Sequence, residues 1–151
     1  MAGHEQRIVV GVDGSDRSKA ALRWAVRQAE LTGSSVDAVI AWQYPSTFGW
    51  AAAGSGFDFE GDARKILARA LSDVCGDHHQ AKIHMRVLEG PAAEALLDTA
   101  TGADLLVVGS RGHGGFASAV LGSVSLHCVL HARCPVLVLR DGHEAGAALA
   151  A

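Results

Sequence analysis

The sequence is poor in cysteine, has no block of like charge and contains no long apolar run. Each lack excludes something. Three cysteines, Cys75, Cys128 and Cys134, stand in 151 residues. An odd count without framework spacing rules out a disulfide-stapled scaffold and fits a reducing compartment. Net charge is −3 and no Lys/Arg cluster occurs, so nothing in the electrostatics favours nucleic acid or an acidic membrane surface as partner. No apolar run approaches the ~18 residues of a membrane helix. The start, MAGHEQRIVVGVDGS, lacks the apolar core of a signal peptide. The expected location is therefore the cytoplasm, with no membrane partner. A Gly-x-x-x-x-Gly-Lys-Ser/Thr motif is absent, which excludes a P-loop NTPase by motif. No paired carboxylates are visible, and no nucleophile has an evident base and orienting partner. The expectation is a binding protein rather than an enzyme, with nucleotide hydrolysis slow at most.

What is present reads as one α/β domain. Apolar residues make up 49% of the chain, and a chain of this length suits a single unit. The core spans about residues 6–140, and the tail 141–151 reads as frayed. Short β-branched runs occur at 7–12, 36–42, 83–88, 104–108 and 135–140. Three are nearly continuous in apolar residues, as strands covered on both faces are. The run at 83–88 carries His84 and Arg86 and reads as an edge strand. Helical patterns lie between the runs. Residues 16–31 place Ala20, Ala21, Trp24, Ala25 and Ala29 on one stripe, with Ser15 as N-cap and Gly33 as stop. Residues 62–75 place Ile66, Leu67, Ala70, Leu71 and Val74 on one face, closed by Gly76. Residues 91–101 begin with Pro91 in the first turn, and 122–131 form the last helix. The β-α-β-α-β-α-β-α-β order implies a doubly wound parallel sheet with right-handed crossovers.

In such a sheet ligands bind beyond the carboxyl ends of the strands, where the strand order reverses. Two loops at that end stand out: Asp13-Gly14-Ser15 after the first strand, and Gly109 to Ser125 after the fourth. Glycines in the second loop allow close backbone approach, and its N–H groups form a concave anion site. The loop feeds a helix at Gly122-Ser123, whose N-terminus adds donors and partial positive charge. Ser123 and Ser125 offer hydroxyls, and Arg111 and His113 offset phosphate charge. A di- or triphosphate is the natural guest. Glycine content alone fits equally a surface loop that merely joins strand to helix. Asp13 likewise has a local alternative, as a brace for the Asp-Gly-Ser turn. His127, His131 and Cys134 have a spacing that zinc can use. No fourth ligand is near in sequence, and a half-exposed last helix is the favoured reading. Trp24 reads as core, and Trp42 and Trp50 as core or pocket wall.

The spacing Gly109-x2-Gly112-x9-Gly122-Ser123 resembles the Gly-x2-Gly-x9-Gly-Ser/Thr motif of ATP-binding universal stress proteins. The opening IVVGVDGSDRSKAALRWA and the closing CPVLVLR are similar to that family's first and last strands. The resemblance implies strand order 3-2-1-4-5, the adenine nucleotide alpha hydrolase-like arrangement, and a role as a nucleotide-dependent sensor or regulator of the stress response. It places Val12 and Asp13 at the adenosine end of ATP, Ala41 against adenine, and Val108 and Gly109 near base and ribose. Gly112 would present its N–H to phosphate, and Gly122, Ser123, Val124 and Ser125 would hold the distal phosphates. Mg2+ or Mn2+ would ride on those phosphates. Ala41 is smaller than the valine frequent in the family, which widens the expected pocket. The resemblance also implies a homodimer through the last strand, Val136 to Leu139. Two other readings stay open: a module for AMP or cyclic AMP, and a nucleotide-free dimeric interaction protein.

Overall fold

The computed structural model describes residues 3–45, 56–76, 79–111 and 121–140. Strands and helices alternate: β1 (Arg7–Gly11), α1 (Asp16–Thr32), β2 (Ser35–Trp42), α2 (Phe59–Cys75), β3 (Ile83–Glu89), α3 (Ala92–Ala100), β4 (Leu105–Gly109), α4 (Ser123–His131) and β5 (Val136–Leu139). The sheet has the order β3-β2-β1-β4-β5, and every pairing is parallel. The chain moves from β1 out to β3 and then returns to the far side of β1. The order reverses between β1 and β4, which leaves a crevice beyond their carboxyl ends.

Alternation along each strand divides the core in two. Ile8, Val10, Val36, Ala38, Ile40 and Val107 point to one face and meet Leu22, Ala25 and Val26 of α1 and Leu67 of α2. Val9, Val39, Leu106 and Val108 point to the other and meet Leu96 and Ala100 of α3 and Cys128 of α4. Burial of both faces explains why β1, β2 and β4 are apolar almost without interruption. β3 lies at an edge, with His84, Met85 and Arg86 exposed. The cysteines are free thiols. Burial, reinforced by Cys134, pushes the Cys128 thiol up to about 11.

Several sequence expectations shift. α1 buries Leu22 and Val26 along with Ala21, Ala25 and Ala29, whereas Ala20 and Trp24 are only half-buried. α2 begins three residues before Asp62, because Asp58 accepts a hydrogen bond from Gly61 N at 2.9 Å and caps a polar first turn. That turn lacks the apolar stripe that marks the rest of the helix. Ile66 is exposed, while Ala63 is buried in its place. Pro91 precedes the first turn of α3 with extended ψ of 138°, so it caps the helix from outside. Trp42 is half-buried against the α1/α2 side and meets Tyr44 edge to face, centroids 5.5 Å apart. Trp50 lies outside the described residues.

Candidate functional site

A cavity of about 290 Å3 opens at the reversal point, beyond the carboxyl ends of β1, β2 and β4. Its inner wall is apolar. Val39 and Ala41 lie two apart on β2 and so share a face. Leu96 and Ala92 of α3 and Val108 of β4 complete that wall. Its outer wall is polar, formed by Asp13, Arg111 and the first turn of α4.

The β1 side is built by a tight local network. Ser15 caps α1, its Oγ accepting from Ser18 N at 3.2 Å. Asp13 Oδ1 accepts from Ser15 N at 2.9 Å and from the Ser15 hydroxyl. Ser18, buried, accepts from Asp13 N at 3.2 Å and donates to Ser15 O at 3.0 Å. The turn takes a left-handed step at Gly14, φ 85°, which favours glycine. Asp13 therefore braces the turn and lines the cavity at once.

The β4 side is clamped to α4. Gly122 N donates to Ser110 O at 2.7 Å, and Ser125 Oγ donates to Gly109 O at 2.5 Å. A Cβ on Gly109 would lie 3.2 Å from the Arg17 carbonyl oxygen, so this position holds the strand end close to α1. Among the described residues no side chain caps α4, whose N-cap is Gly122. Its first turn lines the cavity, together with the exposed Ser123. Ser125 is buried, and its hydroxyl is already committed to the Gly109 carbonyl.

Of the residues singled out in the sequence, Val12, Asp13, Ala41, Val108, Gly109 and Arg111 all line this cavity, as do Gly122, Ser123, Val124 and Ser125. Gly112 and His113 lie outside the described residues. Sequence reasoning missed Gly11, Ser18, Val39, Ala92 and Leu96, which also line it. The period of two could have added Val39 to Ala41. Leu96 and Ala92 arrive because α3 crosses back over the sheet, and no local signal announces that. The rings of His127 and His131 neighbour each other on α4, centroids 4.5 Å apart and tilted by 44°, and both residues are exposed. Among the described residues no group of three or more His, Cys, Asp or Glu side chains converges.

Residues 5–140 match the model of the universal stress protein family. Universal stress protein Rv1996 of Mycobacterium tuberculosis is 37% identical over 138 residues, covering 88% of this chain and 43% of that protein. A universal stress protein of Mycolicibacterium smegmatis is 32% identical over 150 residues, covering 93% and 50%. The chain thus spans about half the length of these relatives. A solved universal stress protein in complex with cAMP is 27% identical, with TM-score 0.58 and coverage of 91% and 98%. The universal stress protein UspA of Lactobacillus plantarum has the same fold, with TM-score 0.76, 22% identity and coverage of 91% and 99%.

Proposed function

The chain belongs to the universal stress protein family, and from that premise we propose that it binds an adenine nucleotide, ATP foremost, and acts as a nucleotide-dependent regulator in a stress response. One observation carries the reading. The uncapped first turn of α4, the end of β4 and the Asp13 turn converge on a single cavity with an apolar inner wall. Such a cavity suits a flat, apolar base inside and phosphates outside. Val39, Ala41, Leu96 and Val108 would hold the base, and Asp13 the ribose side. The α4 N-terminus, Ser123 and Arg111 would hold phosphates. Ser125, hydrogen-bonded to Gly109 O, sets the position of that N-terminus. Gly112 and His113 would add phosphate contacts from the intervening loop.

Mg2+ or Mn2+ would be carried by the phosphates, since Asp13 is the one carboxylate among the described residues lining the cavity. That carboxylate accepts from Ser15. The role proposed is binding and release rather than turnover. A second reading, AMP or cyclic AMP as the guest, is favoured by the relative solved with cAMP. Among the described residues β5 ends the sheet, with Val136 to Leu139 half-buried, which supports a homodimer through that strand. The proposed location remains the cytoplasm.

The test is thermal unfolding of nucleotide-stripped protein with ATP, AMP and cAMP, each with magnesium. Ligand at 100 times its Kd stabilises by about 2.7 kcal/mol, or on the order of 5–10 °C for a domain this size. ATP is expected to give the largest shift, and Ser123→Ala combined with Gly122→Val to remove it. A larger shift with AMP or cAMP would transfer the site to the second reading. No shift with any of the three would refute nucleotide binding.

A further inference from the structure

A second cavity, of about 460 Å3, lies on the same face of the sheet at the opposite end of α3. It exists because α3 packs over β1 and β2 and leaves the outer part of edge strand β3 uncovered. Asp37 of β2 forms its floor and is 1% exposed. Asp37 Oδ2 accepts from Arg7 Nη1 at 3.0 Å. Arg7 is spent elsewhere as well: it donates to Thr99 O at 2.7 Å and to Thr101 O at 2.9 Å, bridging the end of α3 and its C-cap. Asp37 Oδ1 is buried and accepts no hydrogen bond among the described residues. Arg86 Nε, from β3, stands 4.0 Å away, and its side chain is 53% exposed.

Leaving a buried carboxylate oxygen without a donor is unfavourable. The 4.0 Å gap is too long for a hydrogen bond. It leaves room for one oxygen about 2.8 Å from each atom, accepting from Arg86 and donating to Asp37. The group that fits must donate and accept through a single atom, as a hydroxyl does. Charge narrows the choice further. Arg7 and Arg86 disfavour a cation, while Asp37, Asp98 and Glu5 around the same cavity disfavour an anion. His84 adds another donor or acceptor at the β3 wall. The volume falls in the range of roughly 300–1,000 Å3 typical of small-molecule sites.

We propose that this cavity is a second binding site, for a neutral polyhydroxyl compound of the sugar or polyol class, one hydroxyl of which bridges Asp37 and Arg86. It is separate from the nucleotide site and does not depend on that assignment. The experiment is a titration of the 15N-labelled full chain with glucose and with myo-inositol, followed by backbone amide shifts. Sodium sulfate and ethylammonium chloride serve as charged controls. Saturable shifts at Asp37, Arg86 and Thr99, with none around Gly109 or Ser123, are expected for at least one of the two polyols. Arg86→Leu, on a half-exposed edge strand, should keep the dispersed spectrum and weaken binding by about tenfold, the loss of one charge-assisted hydrogen bond. Arg86→Lys, which keeps a cationic donor, should restore part of it. Three outcomes overturn the proposal: no saturation with either polyol, in which case a water fills the gap; saturation by a charged control instead; or equal affinity in Arg86→Leu.

Discussion

Asp104 shows how one exposed residue couples the N-terminal segment to the start of β4. Its carboxylate accepts from Arg7 N at 2.8 Å and lies 3.1 Å from His4 Nε2. The backbone hydrogen bond from Arg7, aided by His4, holds its carboxyl below the ordinary value of 3.8. A depressed carboxyl favours the folded state while it is ionised. The stabilisation is present above the unfolded value and is lost as pH falls through the folded one. Urea midpoints should therefore drop as pH is lowered below about 4. Asp104→Asn, which keeps an acceptor for Arg7 but cannot ionise, should flatten that part of the profile. An unchanged acid limb in the variant would assign the acid loss to other carboxylates.

Among the elements, α4 is the one whose position decides the proposed nucleotide site. It is nine residues long and has no side-chain cap. Its footing on β4 comes from Gly122 N to Ser110 O and from Ser125 Oγ to Gly109 O. Ser125→Ala removes the second contact and leaves a strand-end carbonyl short of a donor. The expected cost is about 1–3 kcal/mol, read as a lower denaturant midpoint at unchanged slope. Nucleotide affinity should fall as well, because the helix end loses its register. A variant as stable as the parent would show that packing alone seats α4. The contrast with α1 is instructive. The Ser15 cap of α1 was legible, since the capping residue and the stripe adjoin in sequence. The Ser125 clamp was not, since its partner is sixteen residues away in sequence.

At the scale of the whole molecule, β5 is the last strand of the sheet among the described residues. Its four residues, Val136 to Leu139, are each only half-buried. Nearby α4 exposes Leu126, Val129 and Leu130, the last to 66%. A terminal strand edge beside exposed apolar side chains favours pairing with another chain. Sedimentation equilibrium across micromolar concentrations should give the mass of two chains. The mass of one chain throughout would remove the proposed homodimer.

The order of strands and helices, the strands buried on both faces and the edge position of β3 were all determined by the sequence alone. Each rests on local periodicity, capping or backbone freedom, which neighbouring residues fix between them. The tertiary structure decided which distant residues meet. Leu96 reaches the wall of the first cavity because α3 recrosses the sheet. Asp37, an acid in an otherwise apolar strand, is held by Arg7 and approached by Arg86, 30 and 49 positions away in sequence. Both outcomes depend on where α3 lies against the parallel sheet, which is settled by packing over the whole domain rather than by any one stretch of chain.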